Sequence, residues 1–212
     1  MTLLSKVQTL IDYAKFGMAQ CILYNGYEPY DLHFPRAITT YSSANNNGWQ
    51  YNARSITGYV KTMGGNYFGK GNAITEIIDL PELISWSSYG IFSAMSALRI
   101  CKLPKVSIMG QEAISDCPKL EYLEMGSLDS MHTTSLRGDE ALKEFVVGKG
   151  TRANLYLYHC PNLTQECLHN IVDNLADRTG LTSLTFYVGE ENLAKISEDY
   201  KAKLTQKNWV YQ

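Results

Sequence analysis

The chain has 212 residues, 45% of them apolar and 19% charged, enough to bury a substantial core and too apolar for a disordered tail. A formal net charge of −2 offers phosphates no attraction, so nucleic acid is excluded as an expected partner. No apolar run approaches the roughly 18–20 residues that a membrane span needs.

The chain opens with MTLLSKVQTLIDYAKFG. Lys6, Gln8 and Asp12 interrupt any apolar signal region, so no export signal is expected. The spacing of Leu3, Leu4, Val7, Leu10, Ile11 and Ala14 predicts an amphipathic helix over 3–16, capped by Thr2 and ended by Gly17. Asn25-Gly26 is a hairpin-type turn signal, weakened by Pro29. YSSANNNGWQYNARS is polar and reads as loop. The first 70 residues hold eight of the fifteen tyrosines. Tyr24, Tyr27, Tyr30, Tyr41, Trp49, Tyr51, Tyr59 and Tyr67 form the candidate binding group, because tyrosine offers large contact area at low entropic cost. The alternative is that half of them cover an open end of the fold.

GGNYFGKG, Gly64 to Gly71, matches a phosphate-binding loop up to Lys70. The next position needs a hydroxyl for Mg²⁺, and Gly71 has none. Only Asn72–Asp79 precede Leu80-Pro81, too few for the long helix such a loop must open. A glycine loop joining two segments is the plainer reading, and no cofactor is expected.

From about Ile74 the texture changes. Leu98, Leu120 and Leu142 are 22 residues apart, and Leu163 follows after 21. Each of the first three opens one phrase: Leu98-x-x-Cys101-x-Leu103, Leu120-x-x-Leu123-x-Met125 and Leu142-x-x-Phe145-x-Val147. Ile78-x-Leu80 ends an earlier copy, and Leu181-x-x-Leu184-x-Phe186 gives a later one. Six residues before each leucine stand Phe92, Ile114, Leu136 and Leu157. Such a period marks leucine-rich repeats, in which each copy supplies a short strand and only stacking buries its apolar face. The expected repeat core is Leu98, Leu103, Leu120, Leu123, Leu142, Phe145, Leu163 and Leu184.

The five cysteines, Cys21, Cys101, Cys117, Cys160 and Cys167, are expected as reduced thiols. Cys117 and Cys160 stand three residues before a repeat leucine, where sister copies have Met95 and Asp139, which makes them core residues. His159, Cys160, Cys167 and His169 could suggest a metal site. Adjacent His159 and Cys160 diverge if extended, and Cys167 and His169 lie about 200° apart around a helix, so no metal is expected. No Ser-His-Asp or Cys-His arrangement stands out, and no catalytic residue is assigned.

The stretch DLPELISWSSYGIFSAMSALRICKLPKVSIMGQEAISDCPKLEYLEMGSL resembles the BspA-type leucine-rich repeat family. Leu80-Pro81-Glu82-Leu83 and Leu103-Pro104-Lys105-Val106 follow its phrase, and Ala113-Ile114 stands for its Ala-Phe pair. MHTTSLRGDEAL lacks that pair and the Cys. The tail NLTQECLHNIVDNLADRTGLTSLTFYVGEENLAKISEDYKAKLTQKNWVYQ, Asn162 to Gln212, resembles a known ending of the same group. That ending implies a helix over about Gln165–Arg178, a strand over Leu181–Phe186, a helix over about Glu198–Lys207 and a short Trp-bearing strand. The resemblance covers about Ile74–Gln212.

The resemblance implies a fold of α+β class, a short leucine-rich-repeat solenoid with an N-terminal helix plus Tyr-rich segment and a helix-strand-helix closing unit. The expected divisions are 1–72 for attachment or capping, 73–163 for the repeats and 164–212 for closure. It also implies binding and adhesion without catalysis, in bacterial surface proteins or in virion proteins of their phages. LLSKVQTLIDYA is similar to the start of phage versions, which points to a virion component made in the host cytoplasm. A bacterial surface module is the alternative, and an enzyme using Gly64–Lys70 the third reading. Expected partners are other virion subunits or a host-surface protein or glycan, within a homo-oligomer or larger assembly. Residues 1–70 are expected to carry the subunit contact, and the rest to fold without them.

Overall fold

The computed structural model describes residues 30–34, 36, 39–42, 53–64, 70–86 and 89–212. The helix expected over 3–16, the turn at Asn25-Gly26 and Cys21 lie outside them. In chain order the strands are β1 (Tyr30–Phe34), β2 (Thr40–Ser42), β3 (Ala53–Gly58), β4 (Thr62–Gly64), β5 (Ile77–Asp79), β6 (Ser85–Trp86), β7 (Ile100–Leu103), β8 (Ile108–Met109), β9 (Tyr122–Met125), β10 (Ser130–Met131), β11 (Glu144–Val146) and β12 (Leu155–Tyr156). Then follow α1 (Gln165–Asn174), β13 (Leu184–Tyr187), α2 (Glu190–Leu193), α3 (Glu198–Gln206) and β14 (Trp209–Tyr211).

Every odd strand from β1 to β11 joins one six-stranded sheet, in chain order. Its pairs are all parallel, with partners 22 to 24 residues apart: Asp31 with Ser55, Ser55 with Ile77, Ile77 with Ile100, Ile100 with Tyr122, and Tyr122 with Glu144. The even strands form two further parallel ladders, β2-β4-β6 and β8-β10. A last parallel sheet has the order β12-β13-β14. The fold is mixed α/β, with mostly parallel strands, few helices and open sheets.

Side chains alternate between the two faces of a strand, so each short strand sends one or two residues inward. Leu32 and Phe34, Ile56, Ile78, Cys101 and Leu103, Leu123 and Met125, and Phe145 form this inward set, all buried. The even strands add Tyr41, Met63, Trp86, Met109 and Met131, also buried. Leu98, Leu120, Leu142 and Leu163 supply a third buried column. The backbone closes in the same way before each of them. Leu98 N–H donates to Met95 O, Leu120 to Cys117 O, Leu142 to Asp139 O and Leu163 to Cys160 O. A recurring turn thus delivers an apolar side chain to one place in each copy. Burying each is worth roughly 1.5–3 kcal/mol against leaving it in water.

Two expectations need correction. The sheet does not stop at the boundary expected after residue 72, because β1 and β3 are its first two strands and β2 and β4 pair onward to β6. The second concerns Leu181-x-x-Leu184-x-Phe186. Leu181 is 56% exposed, and Leu184 is partly buried though packed against the core, whereas Phe186 and Val188 are fully buried. The core-facing pair lies further along because β13 pairs with β12 across the intervening helix, so the repeat spacing no longer sets its phase.

Helices α1 and α3 stand close to the ranges expected for them, and the one-turn α2 adds to that scheme. Thr164 caps α1 by accepting from Cys167 N–H at 3.1 Å. At the other end Lys207 Nζ donates to Val172 O, Asp173 O and Leu175 O at 2.7 to 2.9 Å, closing carbonyls that a helix end leaves open. Trp209 Nε1 donates to Ala176 O. Among the described residues no helix is long and apolar enough to cross a membrane.

Candidate functional site

The parity that buries one set of strand residues turns the other set to solvent. Across the six-stranded sheet this outer face carries Asp31, His33, Thr57, Ile77, Asp79, Ile100, Lys102, Tyr122, Glu124, Glu144 and Val146. One register step places Ile77, Ile100 and Tyr122 side by side, an apolar strip with Ile77 39% exposed.

Charges flank the strip in alternating sign. Arg54 pairs with Asp31 at 3.2 Å, and Glu121 takes Arg99 at 3.2 Å and Lys143 at 3.1 Å. Hydrogen bonds from Ser55 and then Arg54 hold the Asp31 carboxyl below its ordinary range. Those from Lys143 and Arg99 do the same for Glu121. Pairs this exposed add little stability and mainly order the surface. Lys102 Nζ lies 5.9 Å from the centre of the Tyr122 ring, and Tyr122 OH donates to Glu124 at 3.3 Å. Burial, then the Glu124 charge, pushes the Tyr122 phenol up.

Beyond β11 the sheet is finished by α1. Phe145 N–H donates to Cys167 Sγ at 3.1 Å, and Asn174 Nδ2 to Val147 O at 2.9 Å. Side chains of the helix thus take edge groups that a further strand would have used. A cleft of about 210 Å³ remains between the two elements.

The aromatic group expected to bind a partner is not gathered in one place among the described residues. Tyr24, Tyr27, Trp49, Tyr51 and Tyr67 lie outside them, and Tyr30 is in β1. Tyr41 is 8% exposed with its ring edge-on to Phe34 at 5.5 Å, which makes it a core residue and corrects its place in that group. Its strand turns it inward with Met63 and Trp86. Tyr59 is half-buried under the Arg36 guanidinium at 4.5 Å, edge-on to His33.

In the glycine stretch, Gly64 ends β4 and Lys70 and Gly71 are exposed; 65–69 lie outside the described residues. Asn72 Oδ1 accepts from Ile74 and Thr75 N–H, and the next element is the strand β5, where a phosphate loop would open a helix.

The thiols and histidines occupy separate surroundings. Cys101, Cys117, Cys160 and Cys167 are buried and free. Burial raises all four, Cys167 to about 11. His159 lies against Tyr158 at 4.1 Å, while His169 stacks on Tyr200 at 3.7 Å and accepts from Ser197 N–H. Among the described residues no group of three or more His, Cys, Asp or Glu is placed to hold a metal ion.

Sequence reasoning missed the outer sheet face. Its signal was present in Arg99, Glu121 and Lys143, which alternate in charge at the same 22-residue step as the leucines. Comparisons with family models, curated proteins and solved structures returned no match.

Proposed function

We propose that this chain is a non-enzymatic binding protein, a short BspA-type leucine-rich-repeat solenoid that acts as a structural or adhesive component of a phage virion. The observation that carries this reading is the agreement of two periods. The leucines recur every 21 or 22 residues, and the parallel sheet advances by 22 to 24. Backbone and core repeat from copy to copy, while the outer positions change from Ile77 to Ile100 to Tyr122 to Glu144. A regular frame with a varied outer face suits recognition of a macromolecular surface.

The test is immunogold labelling of particles released by prophage induction from a strain that carries the gene. Labelled particles are expected. Label on the cell envelope would favour a bacterial surface module instead, and label on neither would remove both readings.

A further inference from the structure

The outer face of the six-stranded sheet carries charges that reverse sign about its middle. Ile78 is buried, so Ile77 and Asp79 turn outward on β5; buried Cys101 and Leu103 turn Ile100 and Lys102 outward on β7. Register sets Ile77 beside Ile100 and Asp79 beside Lys102. Ser55 and Thr57 stand level with them on β3, and Tyr122 and Glu124 on β9. Where the strands begin, Arg54, Glu76, Arg99 and Glu121 are joined in turn by backbone hydrogen bonds and alternate in sign. Across the line between β5 and β7, Glu76 mirrors Arg99, Asp79 mirrors Lys102 and Arg54 mirrors Glu121. Every mirrored pair is opposite in sign. Among the described residues Glu76, Asp79 and Lys102 have no ion pair. Ile77 and Ile100 flank the line itself, with Ile77 39% exposed.

We propose that this face binds a second copy of the chain, face to face, about a two-fold axis parallel to the strands between β5 and β7. Such a rotation keeps strand direction and height and exchanges the two sides of the sheet. It lays β5 on β7 of the second copy and β3 on β9. Ile77 then packs on Ile100 of the second copy, Asp79 meets Lys102, Glu76 meets Arg99 and Arg54 meets Glu121, each contact formed twice. Glu76, Asp79 and Lys102 thereby gain the counter-charge that they lack within the chain. At the rim Asp31 comes opposite Glu144, a like-charge meeting, but Arg54 already holds Asp31. A partner of uniform charge would match only half of this pattern. Six strands about 4.8 Å apart, each turning two or three residues outward, offer roughly 500 Å² per copy, the range of a weak, reversible dimer. The proposal rests on the binding reading above only in taking this face as the contact surface. It does not require the virion.

The experiment is sedimentation velocity on the full chain over a range of concentrations, at low and at high salt. A reversible monomer–dimer equilibrium is expected, weakened by salt because the charge contacts are screened. Asp79→Lys sets a cation opposite Lys102, and Lys102→Glu sets an anion opposite Asp79. Each variant alone should therefore dimerise at least about tenfold more weakly. Mixed in equal amounts the two should pair about as tightly as the native chain, because every contact then joins opposite charges. Glu76→Arg with Arg99→Glu gives the same test at a second pair. A native chain that stays monomeric at about 1 mM, a variant that dimerises as the native chain does, or mixtures no tighter than their components would overturn the proposal. Particle labelling does not depend on these contacts, so failure here and failure of the functional reading are distinguishable.

Discussion

At the scale of single residues, the position three before each repeat leucine is the most informative. Met95, Cys117, Asp139 and Cys160 occupy it, all buried. Asp139 Oδ1 accepts from Cys117 N–H at 2.8 Å, and Oδ2 has no hydrogen-bond partner among the described residues. Burial pushes the carboxyl well up, opposed in part by that hydrogen bond. Above the unfolded value of about 3.9 the folded state therefore holds a proton that the unfolded chain has released. Its contribution is fully present at lower pH and is lost as pH rises toward the raised folded value. Urea midpoints at about pH 5 and pH 8 should fall more for the native chain than for Asp139→Asn, which keeps the acceptor but cannot ionise. Equal falls would contradict a raised carboxyl. The four thiols give a second prediction. In the folded chain at mildly alkaline pH, Cys101, Cys117, Cys160 and Cys167 should react slowly with iodoacetamide, and quickly once unfolded. Rapid labelling of any of them in native protein, mapped by peptide mass, would count against their burial.

At the scale of the element, each copy was legible where its phrase was complete. Leu98, Leu120 and Leu142 recur because the same turn places each of them in the core. Leu120→Ala should lower stability by about 2–5 kcal/mol in a denaturant titration, and a loss below about 1 kcal/mol would place Leu120 outside a packed column. The copy at β3 was hidden because it ends in Gly58, at φ +119°, in register with Phe34. A Cβ there would lie 2.2 Å from Phe34 O, so close backbone approach replaced the apolar residue that marks Leu80 and Leu103. Gly148 illustrates the same constraint at the far end. A Cβ on it would meet Ser127 N at 2.4 Å. Gly148→Ala should cost about 1–3 kcal/mol, as overpacking does, and an unchanged melting temperature would show that the neighbouring turn yields freely.

At the scale of the whole molecule, the continuous sheet changes what a truncation should do. A chain starting at Asn72 was expected to keep its repeats folded. In the structure β5 pairs with β3 and β6 with β4, so the cut would bare Ile78, Leu80 and Trp86 at an open end. A parallel sheet cut between its strands loses the pairing and packing of its missing neighbours and exposes an apolar cross-section. The truncated chain should show a lower urea midpoint and associate in size-exclusion chromatography; a stable monomer would restore the boundary at 72. By itself the sequence determined the recurrence from about Ile74 and the burial of its leucines and cysteines, because those depend on local spacing that each copy repeats. Only the tertiary structure decided that the sheet begins before residue 72, that Tyr41 belongs to the core, that Leu181 faces solvent, and that Glu144 overlooks a cleft. Each of these depends on which strand or helix packs alongside, and that neighbour is set by contacts between residues about 22 or more positions apart, beyond the reach of any local pattern.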